Sequence, residues 1–429
     1  MSERDAARAA AEAAARGSYG KLVAFLSART RDVAAAEDAL ADAFASALDA
    51  WPRSGVPSHP DAWLMKAAQR RLIDAARRRR TGEAAAERLA MVADELASLA
   101  AAERLPDDRL GLMFACAHPA IDPGIRAPLI LQTVLGLDAA AIASAFLVPP
   151  ATMGQRLVRA KVRLRQAGIP FRIPGPGELG ERLAAVLEAI YATFAEGWLD
   201  PAGTEARRRN LAAEGLWLGS LVAALLPDEP EALGLFALML FAEARRPARR
   251  TPDGSYVPLA EQDVALWDRA AIAEAEALLT RASALERPGR YQLEAAIQSA
   301  HVARRLDGRT DWAAIALLYE GLAVLSPSPV VAVNRAAALA EAHGASSGLA
   351  ALDGIAADPR LADYQPYWAA RAGLLARLGR TGEADEAYRR AIGLERDAAV
   401  RDFLEARRAA MAAEAGSQPP SPSNSAVDR

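Results

Sequence analysis

The chain of 429 residues has a single cysteine, Cys116, so an intrachain disulfide framework is excluded and the fold must rest on an apolar core. Its four histidines, His59, His118, His301 and His343, are scattered. Only Cys116 and His118 lie close together, and two candidate ligands are too few for a zinc site, so no metal is expected. No phosphate-cradling glycine loop, nucleophile elbow or paired metal motif occurs, which points away from an enzyme and from a bound cofactor. Long apolar runs are missing too. The most apolar stretch, near Ala232 to Ala242, is too short to span a bilayer, and nothing at the start resembles an export signal. We therefore expect a cytoplasmic protein with no membrane partner. Lysine is scarce, since Lys21, Lys66 and Lys161 are the only three among 51 basic residues.

What is abundant is alanine, and with few β-branched runs the reading is all-α, in roughly three domains. Charge is unevenly placed. Residues 1–172 hold 24 basic and 19 acidic side chains and the remainder 27 and 35, so the two parts have different partners. A proline and glycine boundary, IPFRIPGPG at 169–177, falls between them.

The most informative stretch is Leu137 to Gln166. Ala139 to Phe146 places Ile142, Ala143 and Phe146 at one-turn spacing, and Val148-Pro149-Pro150 interrupts. A second helix follows with Met153, Leu157, Ala160 and Leu164 along one stripe. Gln155, Val158, Arg159 and Val162 point away from that stripe, flanked by Arg156, Lys161, Arg163 and Arg165. Six basic residues and no acidic one lie between Ala151 and Arg172. This is the grammar of a helix-turn-helix whose second helix enters a DNA groove.

Upstream, Tyr19 to Thr30 reads as a short helix. A second, from Asp32 to about Trp51, buries Val33, Leu40, Phe44 and Leu48 and leaves Glu37, Asp38, Asp42 and Asp49 as an acidic face. By itself that face is either solubilising or an interface. After the loop PRSGVPSHP, Asp61 caps a helix running to about Arg80, with Leu64, Ala68, Leu72 and Ala75 inward. Lys66, Gln69, Arg70, Arg71, Arg77 and Arg78 are left for a polyanion. Trp63 either packs in the core or stacks on a base.

Together these residues resemble a known family. Ile142-Ala143 and ATMGQRLVRAKVRLR from Ala151 resemble region 4 of extracytoplasmic-function sigma factors, within the sigma-70 family. AEDALADAF from Ala36 resembles region 2.2, and PDAWLMKAAQRRLIDAARR from Pro60 resembles regions 2.3 and 2.4. The resemblance implies a region 2 domain over residues 1–80, a linker over 81–106 and a region 4 domain over 107–172. It implies that Glu37, Asp38 and Asp42 dock on the β′ clamp helices of core RNA polymerase, and that region 4 meets the β flap. It assigns Trp63, Lys66, Arg70, Arg71, Arg77 and Arg78 to the promoter −10 element. The −35 element falls to Thr152, Gln155, Arg156, Val158, Arg159 and Lys161, with Arg159 the guanine reader and Arg156 and Lys161 on phosphates. Gly154 departs from the pattern, since many relatives carry a basic residue there.

Beyond the boundary, apolar periodicity gives about eleven helices. LGRTGEADEAYRRAI from Leu378 resembles a tetratricopeptide repeat through Ala384, Tyr388 and Ala391, and a looser copy begins at Trp312 with Ile315, Tyr319 and Leu322. We expect a helical-repeat extension over 178–412 and a disordered tail over 413–429. Such an extension either binds a regulatory protein or buttresses the rest. The irregular stretch from Pro247 to Asp263 is a candidate contact site. The resemblance further implies a subgroup controlled through its own C-terminal domain. Two other readings stand beside it: a one-component regulator whose solenoid senses a ligand, and a repeat scaffold that binds only proteins.

Overall fold

The computed structural model describes residues 3–78, 108–145, 148–198 and 206–417. The architecture is all-α: among the described residues there is no strand, only an isolated bridge between Arg250 and Tyr256. By compactness the chain forms two units, one from residues 3–198 with 206–218 and one from 219–417. The expected linker over 81–106 lies outside the described residues.

The first unit opens with α1 (Glu3–Thr30), α2 (Val33–Ser54) and α3 (Pro60–Arg78). Helix α1 is longer than the expected Tyr19 to Thr30, because Ala7, Ala11 and Ala14 bury one face of its first half. Asp32 caps α2, its Oδ1 accepting the Ala35 amide at 3.1 Å. The buried face of α2 differs from the expected stripe. Ala36, Ala39, Leu40, Ala43, Ala47 and Trp51 point inward, while Leu48 is 48% exposed. Alanines along the contact let α1 and α2 approach closely, and a Leu48-centred face would hold them apart. Helix α3 starts two residues earlier than a cap at Asp61 implies: Pro60 supplies the first turn, where its missing N–H costs nothing, and Asp61 lies within that turn.

Then come α4 (Arg109–Cys116), α5 (Pro123–Leu135), α6 (Ala139–Ala145), α7 (Pro150–Gln166) and α8 (Pro176–Trp198). Helix α4 is buried along its whole length, and α5 nearly so. Helix α5 touches α1, α4, α6, α7 and α8, which makes it the hub of this unit. Its end is set by Gly136 in the left-handed region at φ 67°. Helix α8 lies beyond the proline and glycine boundary yet packs on α4 and α5. Arg126, 6% exposed, donates to the Ile121 carbonyl and to Glu181 Oε1, both at 3.0 Å.

Helix α9 (Ala206–Leu225) leads into the second unit, which holds α10 (Pro230–Ala244), α11 (Arg269–Ala284), α12 (Arg290–Val302) and the one-turn α13 (Arg304–Asp307). Three helix pairs follow: α14 (Trp312–Leu325) with α15 (Pro329–His343), α16 (Ala345–Asp353) with α17 (Gln365–Arg377), and α18 (Thr381–Leu394) with α19 (Ala398–Ser417). The pairs begin 33 and 36 residues apart. Ala384, Tyr388 and Ala391 of α18 are buried in the core they share with α17 and α19, and Ile315 and Leu322 are buried on α14. Helix α19 continues to Ser417, past the expected end at 412.

Residues 246–267, which contain the irregular stretch from Pro247 to Asp263, form a strap of short 3-10 turns in this unit. Arg250 pairs with Asp397, and Glu261 with Arg407 at 3.2 Å. Arg304 donates to the carbonyls of Leu259, Ala260 and Gln262. At its tip Gly254 takes φ 91°, and Asp253 accepts from the hydroxyls of Thr251 and Ser255. No helix among the described residues is long and apolar enough to cross a membrane.

Candidate nucleic-acid interface

Helix α7 is supported from behind. Met153, Leu157, Ala160 and Leu164 are each at most 5% exposed, seated against α5 and α6. Pro149 and Pro150 start the helix, and Asp138 caps α6 through the Ala141 amide at 2.7 Å. With one stripe fixed, the opposite one is presented. Gln155, Arg156, Val158, Arg159 and Arg163 are exposed, Val158 at 62%, while Thr152 is half-buried near the start. Four exposed cations or amides around a bare apolar side chain suit a groove that offers phosphates at its rim and a thymine methyl within. Arg159 is only loosely held, its Nε 3.4 Å from the Gln155 carbonyl, and is free to extend toward a guanine edge. At Gly154 there is room for a side chain, because a Cβ would meet nothing nearer than Ala139 Cβ at 3.9 Å.

Lys161, the sixth residue expected at the −35 element, is not on that face. Its side chain is 13% exposed, and Nζ donates to Glu37 Oε2 of α2 at 2.5 Å. One turn further, Arg165 Nη1 lies 3.3 Å from Asp32 Oδ2, the residue that caps α2. Sequence reading placed Lys161 on DNA and Glu37 on a protein, and the fold brings the two together. Burial raises the Glu37 pKa above the ordinary carboxylate value; Lys161 pulls it back down and Asp38 adds to the rise. Its other oxygen, Oε1, is buried with no hydrogen-bond partner. Asp38 and Asp42 remain exposed.

On α3, Leu64, Ala68 and Leu72 face inward and Lys66, Arg70 and Arg71 outward. Arg71 Nη2 donates to Ser46 Oγ of α2 at 3.2 Å. Arg77 and Arg78 occupy the last turn, their side chains outside the described set. Trp63 is half-buried and meets the buried Trp51 edge-on, with centroids 5.6 Å apart. Trp63 thus packs in part and keeps part of its surface at solvent.

Cys116 and His118 each have another partner. The buried thiol lies 3.5 Å from Thr133 Oγ1, and burial pushes its pKa up to about 12, while His118 Nδ1 accepts the Ala120 amide at 3.0 Å. No group of three or more metal-ligating side chains occurs among the described residues.

Comparison with known proteins adds three findings. A family model described as sigma-70 region 2 matches residues 16–81, which span the second half of α1 and all of α2 and α3. A second, described as a family of unknown function (DUF6596), matches residues 182–283, from α8 to α11. An uncharacterised protein of Rhizobium meliloti is 40% identical over 389 residues, covering 90% of this chain and 92% of that protein. No solved structure matches.

Proposed function

We infer the following division of labour, supported by the match of residues 16–81 to sigma-70 region 2, a module of RNA polymerase binding and transcription initiation. The protein is a sigma factor of the extracytoplasmic-function type. Residues 1–80 bind core polymerase through Asp38, Asp42 and, once released, Glu37, and hold the melted −10 strand through Trp63, Lys66, Arg70, Arg71, Arg77 and Arg78. Residues 107–172 sit at the β flap and read the −35 element with α7. Residues 178–412 form a tetratricopeptide-like extension that regulates the factor, through a protein partner, in the cytoplasm.

The observation that carries this reading is the pairing of two supports. Helix α7 offers Gln155, Val158 and Arg159 from a buried stripe, and α3, inside the segment that matches sigma-70 region 2, offers Lys66, Arg70 and Arg71 from another. A one-component regulator would need only the first. The test is capture of core polymerase by the full chain carrying Asp38→Lys and Asp42→Lys. Both residues are exposed, so the fold is spared, and capture is expected to fall at least tenfold. Undiminished capture would return this acidic face to a solubilising role.

A further inference from the structure

Helix α14 is apolar nearly all round, and its own unit uses only one side of it. Ile315, Ala316 and Leu322 are buried against α12 and α15, and Leu318, Tyr319 and Ala323 pack on the same core. The opposite side looks into solvent, with Ala313, Leu317, Glu320, Gly321, Val324 and Leu325 all exposed. Leu317 is 68% exposed and Val324 81%; with Leu306 of α13 at 77%, they are the barest large apolar side chains among the described residues. A helix that is apolar all round belongs inside a core or an interface.

The outward side has a pattern of its own. Ala313, Leu317, Gly321 and Val324 follow one another at spacings of four, four and three residues, so they form one stripe in which small and large side chains alternate. Gly321 opens a notch in the stripe. A Cβ placed there would stand 3.4 Å from Leu293 Cδ1 of α12, which makes Leu293 the floor of the notch.

We propose that this side of α14 is the seat of a second copy of the chain, with the two α14 helices packed antiparallel about a two-fold axis midway between Leu317 and Gly321. That axis sets Leu317 of each copy into the Gly321 notch of the other and Val324 of each beside Ala313 of the other. A parallel pairing would instead oppose large to large and small to small. The stripe is thus its own mould, which is what an isologous contact requires and what a different partner protein would not. Charge agrees with this choice. Glu320, the one charged residue on the exposed side, stands at its edge with Arg335 Nη2 of α15 at 3.3 Å. The two-fold brings these edges together with each carboxylate already accompanied by its cation, so no like charge meets another unpaired. One helix face is well short of a standard interface, so the dimer is weak, with a dissociation constant on the order of 10–100 µM. None of these residues is assigned to DNA or polymerase, and the contact stands or falls without that reading.

The test is sedimentation equilibrium of the full chain from about 1 to 200 µM. The mean mass is expected to climb from one chain toward two. Leu317→Asp and Val324→Asp change exposed side chains and spare the fold, and each is expected to raise the dissociation constant at least about tenfold. The register is read by cross-linking. Leu317→Cys and Gly321→Cys are made as separate proteins, and their mixture, oxidised in air with copper phenanthroline, is expected to form disulfide-linked dimers several-fold faster than either alone. Cys116 has no exposed surface and stays out of the reaction. The mass of one chain at every concentration overturns the proposal and leaves this face to a different protein. Association that survives both aspartates in folded protein overturns it as well, by placing the contact elsewhere. A mixture that cross-links no faster than its components overturns the antiparallel pairing.

Discussion

Tyr256 meets Phe403 edge to face, with ring centroids 5.4 Å apart, and this contact fastens the strap over residues 246–267 to the last helix of the second unit. Aromatic pairs of this geometry contribute about 0.5–1.5 kcal/mol beyond the area they bury. Phe403→Ala is therefore expected to lower stability by about 1–2 kcal/mol, read as a shift in the urea midpoint, and to speed proteolytic cleavage beside Asp253. Unchanged cleavage would mean that Arg250, Glu261 and Arg304 hold the strap without the rings.

The same unit carries a pH dependence. Burial, with Arg245 and Arg304 nearby, depresses the His301 pKa from 6.5 to about 4. A histidine depressed on folding favours the unprotonated folded state, so its stability contribution is intact above about pH 6.5 and is lost as pH falls toward 4. The loss should be on the order of 2–3 kcal/mol near pH 4. His301→Gln is expected to flatten that part of the curve, measured as urea midpoints between pH 7 and 4. An equally steep decline in the variant would assign the acid sensitivity to other groups.

On α7, Arg159→Ala removes an exposed side chain, so the fold is expected to be untouched. Specific promoter binding is expected to weaken by about 1–3 kcal/mol with non-specific binding unchanged. Equal affinity for the intact and base-substituted site in both proteins would take Arg159 out of the reading set.

Gly154 offers the opposite experiment. The space around it accepts a side chain, and Gly154→Arg places a cation where relatives of the resembled family carry one. The salt dependence of DNA binding is then expected to steepen by about one phosphate contact. A slope that stays put would show that this turn of α7 faces away from the backbone.

Much of this arrangement is legible in the chain. The Met153, Leu157, Ala160 and Leu164 stripe follows from 3.6-residue periodicity, as does the burial of Ala384, Tyr388 and Ala391. Alanine-lined faces are harder to read. The first half of α1 and the inward side of α2 are built on residues that serve equally well at a surface, so periodicity picked Leu48 in their place. Gly348 of α16 is buried where a Cβ would lie 2.5 Å from Ala340 Cβ, a close approach that only glycine allows. The pairing of Glu37 with Lys161 spans 124 residues and leaves no local mark.

The central claim is that this chain directs initiation, and run-off transcription measures it most directly. Core polymerase from a closely related bacterium would be supplied with the full-length chain, or with none, on the promoter region upstream of its own gene. The account expects transcripts from one defined start that vanish without the chain and diminish with Arg159→Ala. Absence of both transcripts and polymerase capture, from a folded protein that binds duplex DNA alone, would contradict it and favour a one-component regulator.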